Sequence, residues 1–245
     1  MPTSQNIRDF YENLYKTSHK RNPAFQIYDS LRAENIHNLA QNSHDPVLIV
    51  GCGSNRDYTI ISSEKNVFAF DLSFEAVYNA KAAKAGNISL FTGDAINIPI
   101  KDNTFRLVIC SEVLEHIPDI RSAIAELRRV MRQDGVLIVS SPNWHSWFGL
   151  ARWLSEKIAR KTIHSDNQPY DDWKTWDKYK AELSPEFEVL QTIGIWYLPP
   201  LHFREYGLPE SITGFIYTIF SPFERFLSKR FPGHGHLIML KCKPR

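Results

Sequence analysis

The stretch that most constrains this chain is the apolar run Val47–Val50, followed at once by Gly51, Cys52, Gly53, Ser54 and Asn55. Four consecutive apolar residues fit a buried strand, and the polar residues after the glycines can open a helix. The run therefore predicts a strand, a tight turn and a helix N-terminus. Glycines at 51 and 53 let the backbone bend sharply and let a ligand approach the main chain where no Cβ stands, while the N–H groups of a helix start offer hydrogen bonds. Taken alone, Gly-x-Gly after a strand fits a ligand cradle and an ordinary turn equally well.

Downstream units decide between them. Val67–Phe70 is a second apolar run ending in Asp71, about twenty residues after the glycines, where doubly wound nucleotide folds place an acid on the ribose hydroxyls. A third unit, Ile88–Thr92, leads to Gly93, Asp94 and Ala95; Phe105–Cys110 leads to Ser111, Glu112 and onward to His116; Gly135–Pro142 closes the series. Successive strand ends carrying polar residues agree with a ligand lying along the carboxyl edge of one parallel sheet.

In their order, Val47–Gly53, Phe70–Ser73, Gly93–Ala95 with Ile98–Phe105, Glu112–Ile117, and Arg128–Met131 with Gly135–Val139 resemble the class I S-adenosylmethionine-dependent methyltransferases. The nearest branch is the type 11 group, which includes quinone-biosynthesis methyltransferases. The resemblance covers residues 46 to 142. It implies an α/β, Rossmann-like, seven-stranded sheet in the order 3-2-1-4-5-7-6, with the last strand antiparallel, helices on both faces and a helical lid. It also implies S-adenosyl-L-methionine as cofactor, S-adenosyl-L-homocysteine as product and no metal. The cofactor residues expected are Gly51, Cys52, Gly53, Ser54, Asp71, Leu72, Asp94, Ala95, Ser111 and Glu112, with Tyr11 and Tyr15 of an N-terminal helix lying over the site. A dinucleotide dehydrogenase would normally carry a third glycine where Arg56 stands. Two departures from the family stand out: Ile49 replaces an acid two positions before the first glycine, and Asn55 replaces a glycine. Asparagine tolerates a left-handed backbone. For the missing acid, Glu112, Asp71 or an N-terminal residue compensates, or the cofactor is held more weakly.

At 245 residues the chain has the size of one α/β domain with insertions. We read residues 1–45 as N-terminal helices covering the cofactor site, 46–142 as the cofactor-binding core, and 143–245 as acceptor-site insertions (143–174 and 196–235) plus the last two strands. A net charge of +2 offers no strong field for nucleic acid. Cys52, Cys110 and Cys242 lack metal-like spacing, which points to reduced thiols and a cytoplasmic protein. Residues 1–21 do not resemble a secretory signal, and no apolar run reaches the roughly 18–20 residues that span a bilayer.

Ile7, Phe10, Tyr11, Leu14 and Tyr15 fall at helical spacing, as do Ile27, Leu31, Ile36 and Leu39, so two helices precede the core. Such stripes pack on a sheet; the aromatic faces of Tyr11 and Tyr15 could also stabilise a sulfonium. A helix over Phe74–Ala85 is predicted with Ser73 as cap and Gly86 as stop, and another after Asp119 carrying Ile120, Ile124, Leu127 and Met131 on one face. His236–Lys243 fits the final strand.

His116, after the fourth strand, and His145, after the fifth, are the candidate proton-transfer residues, because imidazole titrates near neutrality. Each also reads as an ordinary turn residue. In the first insertion Trp144, Trp147, Leu150, Ala151, Leu154 and Ile158 share a helical face that should cover something apolar, and Tyr170, Trp173 and Trp176 follow among carboxylates. With Trp144 and Trp147, these rings are candidate walls of an acceptor site suited to a cation; the alternative is a solvated loop with rings tucked into the core. Prolines 199, 200, 209, 222 and 232 should break the second insertion into short pieces, leaving Ile212–Phe220 as a lid, a dimer contact or an interfacial helix.

The expected function is methyl transfer from S-adenosylmethionine to a small-molecule acceptor, leaning to an amine nitrogen. O-methylation of a glycan, quinone or lipid-linked intermediate is the alternative, and a non-catalytic cofactor-binding partner protein is the alternative of another class. Nucleic acid is not an expected partner; membrane contact is expected only at the surface, and the chain as a monomer or homodimer.

Overall fold

The computed structural model describes residues 2–17, 24–41, 43, 45–53, 66–82, 88–159, 168–198, 202–203, 206–207 and 210–245. Ser54, Asn55, Arg56, Gly86 and prolines 199, 200 and 209 lie outside the described residues.

A seven-stranded sheet organises the chain, in the order β3-β2-β1-β4-β5-β7-β6. Its strands are β1 (Val47–Val50), β2 (Val67–Asp71), β3 (Ile88–Thr92), β4 (Phe105–Ser111), β5 (Met131–Pro142), β6 (Phe187–Ile195) and β7 (Leu237–Pro244). Strands β1 to β5 pair in parallel, and β7 runs antiparallel to both β5 and β6. The expected order and the reversed last strand are both observed.

Unbroken apolar runs make sense once the faces are assigned. Leu48 and Val50 point to one side, against Phe105, Val108 and Leu127; Val47 and Ile49 point to the other, against Ile36, Leu39 and Val77. Side chains alternate along a strand, so a strand covered by helices on both faces must be apolar at every position. Ile49, where the family commonly has an acid, is consequently a core residue.

The helices are α1 (Ser4–Thr17), α2 (Ala24–Ala40), α3 (Phe74–Ala82), α4 (Ile120–Val130), α5 (Trp147–Leu154), α6 (Trp176–Leu183) and α7 (Glu210–Arg230). Asp119 caps α4 as expected, accepting the N–H of Ser122 at 3.1 Å, and Ile120, Ile124 and Leu127 are buried beneath it. Met131, expected on that helical face, instead opens β5. The N–H of Ala76 reaches the Ser73 hydroxyl at 3.2 Å, so Ser73 caps α3 as expected.

The two insertions depart from expectation. Pro222 lies inside α7 rather than ending it, so Ile212–Phe220 is part of one 21-residue helix. Proline costs a helix one N–H bond and a clash with the preceding turn, a cost that tertiary contacts can offset. The apolar face of α5, expected to cover something, is largely turned outward. No helix among the described residues is long and apolar enough to cross a membrane.

Candidate active site

The glycine turn after β1 sits at the carboxyl edge of the sheet, and its backbone takes the left-handed conformations that glycine permits, with φ of 71° at Gly51 and 39° at Gly53. The N–H of Cys52 donates to the Phe70 carbonyl at 2.9 Å, fastening the turn to β2. Both Asp71 oxygens are engaged: Oδ2 accepts the N–H of Gly53 and Oδ1 that of Ser73, each at 2.9 Å. Burial pushes the Asp71 carboxyl above its ordinary range, against the pull of those N–H donors. Gly51, Cys52, Gly53 and Asp71 are thus brought together, with Leu72 half-buried beside them.

Helix α1 lies against this edge because of a contact no local pattern announces. Glu12 accepts the N–H of Phe74 at 2.7 Å and of Glu75 at 3.0 Å, and the Ser73 hydroxyl at 3.2 Å, so its carboxylate satisfies the first N–H groups of α3. Asn79 Nδ2 donates to the Tyr15 carbonyl at 3.2 Å. The rings of Tyr11 and Tyr15 stack at 6.3 Å, and Tyr11 meets His116 edge-on at 6.1 Å. Burial raises the Tyr11 phenol, and the charges of Tyr15, Glu115, Asp71 and Asp171 add to the effect. Tyr11 is therefore packed on His116 and within electrostatic reach of the Asp71 carboxylate.

That group is built by the turn after β4 and by residues 170–172. His116 Nδ1 is 3.2 Å from the Tyr170 carbonyl oxygen, which can only accept, so Nδ1 carries the proton and Nε2 presents its lone pair. Nε2 lies 3.9 Å from Glu115 Oε1, and Nδ1 lies 3.9 Å from Asp171 Oδ1. Burial lowers the imidazole's pKa, against the opposing pull of Asp171. Glu115 is 1% exposed, and its pKa is pushed up to about 8, chiefly by burial. Ser141 Oγ sits 2.6 Å from Glu115 Oε2 and 2.5 Å from the Tyr179 hydroxyl. Having one proton, it donates to the carboxylate and accepts from Tyr179.

Asp171 is held in turn by Arg152 of α5, with Nη1 2.8 Å from Oδ2 and both side chains buried. The guanidinium lies over the rings of Trp173 at 4.4 Å and Trp144 at 5.1 Å, and Trp144 Nε1 donates to the Trp173 carbonyl at 2.7 Å. Trp144 and Trp173 thus hold Arg152. Trp176 packs instead on Gly233 and under Lys180, and Trp147 is exposed. Tyr170 contributes its carbonyl to His116 and its hydroxyl, at 3.5 Å, to Asp172.

The remaining expected site residues scatter. His145 is exposed, its N–H donating to Asn143 Oδ1 at 3.1 Å, and it does not join His116. Ser111 is buried and shares a hydrogen bond with Ser140 at 2.8 Å. Asp94 accepts the N–H of Ile96 at 3.1 Å, with Ala95 buried next to it. Glu112, at φ 54°, pairs with Arg32 of α2 at 2.9 Å, which places a carboxylate at the end of β4, the strand next to β1. Glu12, Arg32, Ser141 and Arg152 were not singled out from the sequence. Glu115 had a signal in its position beside His116, and Asp171 and Tyr179 in the stretch of carboxylates and rings around Tyr170 and Trp173.

Residues 48–139 match the family model described as "Methyltransferase domain". An uncharacterised protein of Methanocaldococcus jannaschii is 25% identical over 195 residues, covering 80% of this chain and 76% of that protein. A demethylmenaquinone methyltransferase of Shouchella clausii is 30% identical over 145 residues, 55% of this chain but only 61% of the relative's length. Among solved structures, geranyl diphosphate C-methyltransferase from Streptomyces coelicolor, in complex with Mg2+, geranyl diphosphate and S-adenosyl-L-homocysteine, superposes with a TM-score of 0.66 at 12% identity. The superposition covers 100% of this chain and 98% of that one.

Proposed function

The chain belongs to the type 11 group of class I S-adenosylmethionine-dependent methyltransferases, and from that premise we propose that it methylates a small-molecule acceptor, an amine nitrogen by preference. The residues at the sheet edge fit the cofactor. A Cβ at Gly51 would fall 2.4 Å from Val113 Cγ2, so the turn is built around bare backbone, and Asp71 retains lone pairs beyond the two bonds it accepts. In this reading Gly51, Gly53 and Asp71 hold the cofactor, with Tyr11 and Tyr15 over it. S-adenosylmethionine, when bound, supplies an electrophilic methyl group on a sulfonium centre.

The observation that carries the proposal is the run Asp71, Tyr11, His116 and Glu115 along one sheet edge. Positioning is the main task in such a transfer, since holding reactants in line can supply on the order of 7 kcal/mol of the barrier. An amine acceptor must reach the site unprotonated. A neutral His116 with its Nε2 lone pair available is suited to take that proton. Buried carboxylates and the Tyr11 face favour a cationic ligand over an anionic one. The same base would serve a hydroxyl acceptor, which is why oxygen acceptors belong in the test.

Calorimetric titration with S-adenosylmethionine and S-adenosylhomocysteine comes first, then turnover on a panel of amines, phenols and lipid-linked sugars. Binding with turnover of an amine is the expected result. Turnover restricted to oxygen acceptors would refute the amine preference. Binding without turnover of any acceptor would favour a non-catalytic cofactor-binding protein, and binding of neither nucleoside would refute the cofactor site.

A further inference from the structure

Helix α7 carries an apolar stripe that nothing in the described chain covers. Ile212, Phe215, Ile219, Phe223 and Phe226 are each 45–66% exposed. At 3.6 residues per turn they fall within about 80° of arc, a single line down the helix. Helix α5 and the π-turn continuing it (Ser155–Ala159) carry a second, broader exposed apolar face, with Trp147, Leu150, Trp153, Leu154 and Ile158 exposed by 39–76%. Scattered exposed apolar residues need no explanation, but two contiguous, aromatic-rich helix faces do.

The charges beside the stripes are sorted by sign. Between Ile212 and Arg230 the only acid is Glu224, and it is buried, its two oxygens accepting the N–H groups of Trp196 and Tyr197. Between Trp147 and Ala159 the only acid is Glu156, which is paired with Arg152 at 2.9 Å. The exposed charges left along the helices are Arg225, Lys229, Arg230 and Lys157. Beside the exposed stripes, Glu224 and Glu156 are engaged by the protein, while Arg225, Lys229, Arg230 and Lys157 face outward.

Both helices are fixed to one place. Phe148 of α5 stacks on His236 at 4.3 Å, His236 stacks on Trp196 at 5.7 Å, and Trp196 donates to Glu224 of α7. The buried side of α5 also supplies Arg152 to Asp171, beside His116.

We propose that α5 and α7 dock the protein on the surface of an anionic lipid bilayer. An apolar face bordered by basic residues lies in the plane of the headgroups, with rings and aliphatic chains below and cations at the phosphates. The exposed basic residues beside the stripes match the charge of anionic headgroups, and that complementarity is the ground for a lipid surface over a second copy of the chain. The inference stands apart from the methyl-transfer reading, because it concerns a different face and is tested without cofactor or acceptor.

The experiment is co-sedimentation of the full chain with vesicles of phosphatidylcholine alone and of equal phosphatidylcholine and phosphatidylglycerol, beside sedimentation velocity without lipid. The expected result is capture by the anionic vesicles, weakened by salt and far weaker on neutral ones. Phe215→Ser with Phe223→Ser should abolish capture, and Lys229→Gln should weaken it about fivefold. Both changes are at exposed positions, and circular dichroism verifies the fold. Protein remaining in the supernatant with both vesicles would overturn the proposal. So would capture indifferent to the phenylalanine changes, or a lipid-free dimer that those changes turn into a monomer.

Discussion

The Asp71 carboxylate holds the N–H of Gly53 at 2.9 Å, so the acid expected to hold a ribose also holds the glycine turn itself. Asp71→Ala removes an expected cofactor ligand. The structure adds a folding cost, since the N–H groups of Gly53 and Ser73 both lose their acceptor. We expect affinity for S-adenosylhomocysteine to fall at least about tenfold and stability to fall by about 1–3 kcal/mol. Calorimetry and urea denaturation measure the two separately; unchanged affinity would remove Asp71 from the cofactor site.

Gly51→Ala should destabilise the fold by about 1–3 kcal/mol, because φ of 71° is strained for alanine and the new Cβ meets Val113. Adding Val113→Ala relieves the clash and leaves the backbone strain. A double-mutant cycle in urea should therefore show partial recovery; strict additivity would mean that the two residues do not touch.

Glu115 makes the stability profile depend on pH in a stated direction. Its folded pKa, about 8, lies above the ordinary glutamate value, so between pH 4.5 and 8 the folded state binds more protons than the unfolded one. Its contribution is complete below pH 4.5 and is lost as pH rises through 8. Glu115→Gln removes the titration while keeping an acceptor for Ser141. Relative to the parent, the variant should gain stability steadily from pH 5 to pH 8; parallel profiles in urea melts would contradict the raised pKa.

His116→Asn tests proton transfer apart from binding. Affinity for S-adenosylhomocysteine should stay within about threefold, because Tyr11 and the glycine turn are untouched, while turnover of an accepted amine should fall about 100-fold or more. A loss below tenfold would leave His116 as a packing residue under Tyr11.

Glu12→Ala should release α1 from α3, costing about 1 kcal/mol as the loss of a helix cap does. The Glu12 carboxyl titrates below its ordinary value because the N–H groups of Glu75 and Phe74 outweigh its slight burial. The docking is therefore present above the ordinary glutamate range and lost as pH falls through the lowered folded value. Hydrogen exchange over residues 4–17 is the measurement; protection equal to the parent's would show that α1 is held by other contacts.

Sequence by itself determined the core strands and the glycine turn, while the strand order was implied by the family resemblance. Val47–Val50 and Leu107–Cys110 declare a doubly covered strand because every position is apolar, and Gly51 declares a left-handed turn because few other residues adopt one cheaply. Asp119 was legible for the same reason, since a cap acts within three residues of itself. Tertiary structure alone decided which acid guards α3, which arginine faces Asp171 and which helices turn apolar faces outward. Glu12 serves a helix 62 residues away, and Arg152 meets an acid 19 residues on. Pro222 stays inside α7, although local propensity alone would end the helix there. Local signals reflect backbone geometry and side-chain period, which a residue carries with it; pairing of buried charges and the outward turn of an apolar face depend on what the rest of the chain brings alongside.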